Sequence, residues 1–360
     1  MVIRKSRFVC AVALVLGCTK ITAATDRSGP LSIAYGFRAV RTAPPQPTDL
    51  ARELTRIAAS TSGTLGVRVL HVESGTGAGV NGDDWFPMMS VYKLPIVIHA
   101  LRQAEAGKLD LSRSIRLRSE DRRPGFSPLA REIEKTGPRI ATVRELISSV
   151  TRVSDNTASD TLLRMVGGPS AVAATLRSLG LSGININRYE LEFAADYYGL
   201  CCVDRIRPFS LERFANQVDH TPLSARRKAA AAFVLDRRDS AKPDAMATLL
   251  ARLVRGELVN EQHTAWLLAE MTEMHARDTR LRAGLPPGTR VALRPGTSGE
   301  TDGIRAAQND NAVMTLPGGR GHLVIAAFLK GSRGPDGDRD ATLAEVARVA
   351  YRWSAELEQR

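Results

Sequence analysis

The chain has 360 residues, enough for two domains or one large two-lobed one. Hydrophobic residues make up 43 %, which supplies a sizeable core and excludes a disordered or fibrous chain. The net charge of +12 is scattered among mixed Arg–Asp and Arg–Glu helical stretches. Dense basic clusters occur only at Arg4-Lys5-Ser6-Arg7 and Arg226-Arg227-Lys228, so the charge reads as solvated surface and not as a nucleic-acid-binding face.

In chain order, residues 1–24 read as an export signal. Arg4, Lys5 and Arg7 form a positive start, and Phe8 to Gly17 is an apolar run too short to span a bilayer. Two processing sites fit: cleavage after Ala24, or a lipobox-like Val15-Leu16-Gly17-Cys18 that would leave Cys18 as a lipid anchor. The expected location is periplasmic, with no membrane span in the mature chain. Beyond the signal only Cys201 and Cys202 remain, and adjacent cysteines build no disulfide framework.

Residues 25–46 are rich in Pro, Gly, Ser and Thr and read as a tether. Leu50 to Ser60 has helical spacing, Leu65 to Val72 alternates like a strand, and Gly75 to Gly79 reads as a turn. From Phe86 to Glu257 the patterns are helical, with Thr142 a plausible N-cap for VRELISSVTR. Strands return at Arg290 to Arg294, Asn311 to Leu316 and Leu323 to Leu329, and an amphipathic helix, Ala341 to Glu358, closes the chain. The expected fold is therefore α+β: an antiparallel sheet flanked by helices, assembled from 47–85 and 262–360, plus an all-helical lobe from 86–261.

Three motifs carry chemistry. In Ser90-Val91-Tyr92-Lys93, a serine hydroxyl needs a base to become a nucleophile, and a lysine three residues on shares its helical face. Backbone N–H groups at a helix start can also hold an oxyanion. Ser154-Asp155-Asn156 presents a hydroxyl that can relay a proton and an amide that can bind a substrate amide, although the same triplet is good turn chemistry. Arg294-Pro295-Gly296-Thr297-Ser298-Gly299 ends a strand with a cation and hydroxyls that suit a substrate carboxylate. Each is weak alone, since S-x-x-K recurs by chance in many chains.

Together, in this order, they match the S-x-x-K, S-D-N and K-T-G set of class A β-lactamases and penicillin-binding proteins. The chain resembles class A β-lactamases well beyond these motifs, in FPMMSVYKLPI, VRELISSVTRVSDNTASDTLL, RRDSAKPDAMATLLARLVRGE and RLRAGLPPGTRVALRPGTSG, over about residues 47 to 357. The resemblance implies that Ser90 attacks a lactam carbonyl and is acylated, with Lys93 in proton transfer. It implies an oxyanion hole from the N–H groups of Ser90 and Thr297, Ser154 as proton relay to the lactam nitrogen, and Asn156 on the substrate's side-chain amide. Asn187-Arg188-Tyr189-Glu190 matches the opening of the family's Ω-loop, which makes Glu190 the deacylating base. Arg294, Gly296, Thr297 and Ser298, with Arg305 a further candidate, would bind the substrate. A small-molecule β-lactam is the expected partner, no cofactor is expected, and a monomer is the family expectation. The six histidines are isolated, without the ligand spacing of a metal site.

The sequence departs from the family pattern in three places. Ala194 stands where the family has an Asn that helps hold the hydrolytic water. Pro295 replaces the middle residue of K-T-G and removes a hydroxyl and an N–H. The Ω-loop, 188–239, is several times longer than usual and carries two helical stretches, Ser210 to Asp219 and Pro222 to Leu235. That insert is expected either to cover the mouth of the site or to project away from it. A D,D-peptidase is disfavoured by Arg188-Tyr189-Glu190. Two alternatives stay open: a binder or sensor that is acylated and does not turn over, and a related serine hydrolase of another substrate.

Overall fold

The computed structural model describes residues 49–200, 209–274 and 279–357. The signal, tether, Cys18, Cys201 and Cys202 lie outside the described residues. The first half runs α1 (Asp49–Ser60), β1 (Thr64–His71), β2 (Gly77–Val80), β3 (Phe86–Pro87), α2 (Lys93–Glu105), β4 (Ser114–Leu117), α3 (Pro128–Thr136), β5 (Arg139–Thr142), α4 (Val143–Arg152), α5 (Asn156–Met165) and α6 (Gly168–Ser178). The Ω-loop contributes α7 (Glu190–Tyr198), α8 (Leu211–His220) and α9 (Leu223–Leu235), followed by β6 (Ser240–Ala241), α10 (Pro243–Val254), α11 (Glu261–Thr272) and α12 (Arg280–Ala283). The chain ends with β7 (Val291–Thr297), β8 (Glu300–Thr301), β9 (Ile304–Thr315), β10 (His322–Arg333) and α13 (Asp336–Glu356).

The main sheet is antiparallel, in the order β2-β1-β10-β9-β7, with β8 paired to β9. Its central strand shows why the sheet needs two covers. Along β10, Leu323, Ile325, Ala327 and Leu329 pack toward α1 and α13, whereas Val324, Ala326 and Phe328 pack toward the helical core. Alternate side chains point to opposite faces, so a strand apolar on both must be covered on both.

The helical core is organised around α2. Its residues from Lys93 to Leu101 are all buried, the signature of a helix packed on every side. Thr142 caps α4 as expected: its Oγ1 accepts from the Glu145 N–H at 3.2 Å, and the Glu145 carboxylate accepts from the Thr142 N–H at 2.6 Å.

The lobe expected to be all-helical, 86–261, also holds two small antiparallel pairs, β3 with β6 and β4 with β5, too short for their patterning to stand out. Two further strand readings change. The segment read as a turn, Gly75 to Gly79, runs into β2, because Gly77 and Gly79 lie so close to β1 that a Cβ at either would press on the Val69 or Val67 carbonyl oxygen. Strand β9 starts at Ile304 and not near Asn311. Gln308, Asn309, Asp310 and Asn311 are polar yet at most 2 % exposed, so hydrophobic patterning hides this stretch. Among the described residues, no helix is long and apolar enough to cross a membrane.

Candidate active site

Ser90 lies in a 3₁₀ turn, Met89–Tyr92, and α2 begins only at Lys93. The sequence suggested an α-helical start; the structure inserts a tighter turn because Met89 takes a left-handed φ of 49°. Such strain in a non-glycine residue is commonly held at functional sites by surrounding packing. Here Met88, Val91 and Tyr92 anchor the turn, each at most 1 % exposed.

Lys93 is fully buried, and its Nζ lies 3.2 Å from Ser90 Oγ. It also donates to the Ser154 carbonyl at 2.8 Å and to Asn156 Oδ1 at 2.5 Å, and sits 3.1 Å from Glu190 Oε1. An ammonium has three protons, so these acceptors more than satisfy it without water. Burial is the largest influence on the amine and holds its pKa below the usual lysine value; the Arg294 charge adds to this, and Glu190 opposes it.

The Ser-Asp-Asn triplet divides its labour. Ser154 sits between α4 and α5 with a left-handed φ of 62°. Asp155 is structural: its carboxylate caps α5 by accepting from the Ala158 N–H at 2.9 Å and also accepts from Ser127 Oγ at 2.8 Å. Asn156 donates through Nδ2 to the Pro124 carbonyl at 2.7 Å, which fixes its amide beside Lys93.

Glu190 opens α7 and is 6 % exposed. Its backbone N–H donates to Asp160 Oδ1 at 2.7 Å, and Asp160 is itself paired with Arg123. Burial raises the Asp160 carboxyl above its usual pKa, with Arg123 opposing. The loop is closed by Arg188, whose guanidinium meets Asp239 at 2.6 Å, Asp196 at 2.7 Å and Asp236 at 3.1 Å.

Strand β7 forms the opposite wall. Gly296 permits its approach, since a Cβ there would sit 2.4 Å from the Met88 carbonyl oxygen. Arg294 lies beneath the strand and not on its edge. It is 1 % exposed and donates to Ser90 O at 2.9 Å, Val150 O at 2.9 Å and Ser154 Oγ at 2.8 Å. Burial pushes its pKa down to about 10, so it remains a cation at neutral pH. Ser298 is buried, with its Oγ donating to the Gly299 carbonyl. Arg305 binds the Ser298 carbonyl and Asp336. Thr297 is exposed at the strand end, and Arg280 donates to its Oγ1 at 2.7 Å. The sequence analysis missed Arg280; its position inside RLRAG was a weak signal, because arginine is frequent in this chain.

A cavity of about 500 Å³ opens beside Ser90, with Asn156, Glu190, Ala194, Phe214 and Thr297 in its lining. The family model for the β-lactamase enzyme family matches residues 49–354. The chain belongs to this family. It is a class A serine β-lactamase, a hydrolase of β-lactams. It is 31 % identical to β-lactamase L2 of Stenotrophomonas maltophilia over 320 residues, covering 87 % of this chain and 89 % of that one. It is 27 % identical to the carbapenem-hydrolysing β-lactamase KPC of Klebsiella oxytoca, covering 84 % and 87 %. Among solved structures, a β-lactamase from Chitinophaga pinensis matches with a TM-score of 0.69 at 26 % identity, covering 85 % of this chain and all of that one. An ancestral class A β-lactamase matches at 0.67 and 30 %, covering 84 % and 99 %.

Against that background the Ω-loop insert of this β-lactamase has a definite place. Helix α9 packs Phe233 edge-on to Phe193, 5.0 Å between ring centroids, and Phe193 stacks on Tyr92 next to the nucleophile turn. Helix α8 brings Leu211, Phe214, Ala215 and Val218 into the lining of the cavity. Of the two placements the sequence left open, the insert takes the one over the mouth.

Proposed function

We infer that this β-lactamase works through an acyl-enzyme on Ser90 and protects an exported compartment from β-lactams. One observation carries the reading: Lys93 Nζ, buried and with its pKa held below the usual lysine value by that burial, lies 3.2 Å from Ser90 Oγ and 3.1 Å from Glu190. A base so placed takes the Ser90 proton as Oγ bonds to the lactam carbonyl carbon. Ser154, whose Oγ accepts from the Arg294 cation at 2.8 Å, hands its proton to the lactam nitrogen as the C–N bond breaks. The Lys93 network then restores the Ser154 hydroxyl through the 3.3 Å contact. Glu190 takes a proton from water, the hydroxide adds to the acyl carbon, and Ser90 leaves with a proton returned. The Ser90 and Thr297 N–H groups hold the oxyanion. Asn156 receives the substrate amide, Thr297 with Arg280 its carboxylate, and Gly296 lets the strand come close. Arg294 and Ser298 act from below, through Ser154 and the strand end.

Ala194 supplies no hydrogen bond to the hydrolytic water, which favours slow deacylation and keeps the acylated binder as a second reading. The basic start at Arg4, Lys5 and Arg7 and the apolar run that follows support export to the periplasm, with Cys18 available for a lipid anchor. The enzyme is proposed to act as a monomer.

The test is hydrolysis of a chromogenic cephalosporin by purified protein, with intact mass taken at intervals and Ser90→Ala alongside. Turnover should fall at least about a thousandfold in the variant, as expected on loss of a nucleophile. Undiminished turnover in Ser90→Ala would refute the assignment, and a lasting adduct on the parent protein without turnover would establish the binder.

A further inference from the structure

The Ω-loop insert is a helical hairpin whose two helices do different things. Helix α9 is the root. Ala230 and Phe233 are buried against Phe193 and Tyr197, and Arg227 pairs with Asp302 at 2.7 Å at the turn between β8 and β9. Helix α8 packs on α7, where Phe214 is buried with Leu191, Ala195 and Leu200. Its residues Leu211, Phe214, Ala215 and Val218 fall at i, i+3, i+4 and i+7, one apolar stripe of a helix. The same stripe borders the cavity that holds Ser90.

Three features define what that cavity accepts. Its far end is apolar and aromatic, with Phe214 packed edge-on to Tyr198 at 6.1 Å and Phe126 across the opening. Ala194, whose side chain is only a methyl group, lines the same cavity as Ser90, Glu190 and Phe214. Among the described residues, its charged lining residues are Glu190 and, on the hairpin, the exposed Asp219, and neither Lys nor Arg lines it.

We propose that α8 builds an extended subsite for the acyl side chain of the β-lactam, selecting large aromatic side chains that are neutral or cationic over small or anionic ones, with Phe214 and Asp219 as the specificity-determining residues. The inference rests on the Ser90 acylation reading. Aromatic rings bury large areas and pair edge-on with other rings, which favours a benzyl-sized group against Phe214 and Tyr198. A carboxylate at the rim repels an anionic substituent and attracts an ammonium.

The experiment measures kcat and KM of the full-length enzyme on benzylpenicillin, its α-amino and α-carboxy derivatives, and 6-aminopenicillanic acid, which lacks the side chain. The parent enzyme should prefer the neutral and α-amino compounds. Phe214→Ala should lower kcat/KM for benzylpenicillin about tenfold, mainly through KM, and leave 6-aminopenicillanic acid within about twofold. Because Phe214 is buried and its loss could loosen the hairpin, Asp219→Lys, an exposed change, gives a second readout. It should raise the ratio of α-carboxy to α-amino turnover several-fold. Hydrolysis of all four at similar efficiency, or parallel changes on all four in both variants, would overturn the subsite and leave the acylation reading intact. Failure of the parent enzyme to hydrolyse or be acylated by any of them would overturn both.

Discussion

The floor of the site and the hairpin above it are built on opposite principles. On the floor, Lys93, Glu190 and Arg294 are charged, at most 6 % exposed, and bonded to one another or to backbone carbonyls. Removing Lys93 or Glu190 leaves its buried partner's charge uncompensated, and removing Arg294 strands buried carbonyl and hydroxyl acceptors, both costly conditions. The hairpin wall is apolar, and it meets the rest of the protein through buried rings and the Arg227–Asp302 and Arg122–Glu212 pairs. Chemistry is thus entrusted to a network that tolerates no change, and substrate choice to a surface that tolerates many.

This contrast can be tested from the floor outward. Glu190→Gln should leave acylation measurable but slow deacylation at least about a hundredfold, the usual contribution of a general base, so that a Ser90 adduct accumulates in intact mass spectra. An unchanged deacylation rate would mean that the floor does not contain the hydrolytic base. Asp239→Ala removes the most buried carboxylate from Arg188 and should destabilise the protein by ~3 kcal/mol in denaturant titrations. Asp196 and Asp236 keep the loss from being larger, and a negligible loss would show that the loop is held by the hairpin packing alone.

The smallest effect concerns Asp310, in the sheet behind the site. Burial pushes its carboxyl up to about 7, and its Oδ1 lacks a hydrogen-bond partner among the described residues. A carboxyl raised in the folded state binds more protons there than in the unfolded chain. Its contribution to stability therefore falls as pH rises from about 4, the unfolded value, to about 7, and is constant above that. Asp310→Asn should remove this slope, so that at pH 8 the variant melts about 4 °C above the parent and near pH 4 the two coincide. Equal melting temperatures across the range would show that the buried carboxyl is compensated.

The catalytic motifs were legible because S-x-x-K and S-D-N are local patterns, and chain geometry alone puts Ser90 beside Lys93 and caps α5 with Asp155. The bounds of the Ω-loop, 188–239, followed from the family resemblance. What patterning could not reach was burial that defies polarity. The strand was read only from Asn311 on, whereas the polar Gln308 to Asp310 already form the centre of β9. Arg294 reads as a cation for the substrate carboxylate and lies buried under the strand. Arg280 reaches Thr297 from a segment 17 residues earlier, a tertiary contact that no local spacing announces. The 3₁₀ turn at Ser90 depends on the strained backbone of Met89, which packing imposes and composition does not signal.

The three carboxylates gathered on Arg188 also bear on how such a loop can grow. Because Asp196, Asp236 and Asp239 draw both ends of the segment to one guanidinium, the ends meet whatever lies between them. Closing a longer loop across a fixed gap costs only about 0.6 kcal/mol per doubling of its length. The segment therefore behaves as an exchangeable cassette, in which whole helices can be gained, lost or swapped while Glu190 stays beside Lys93.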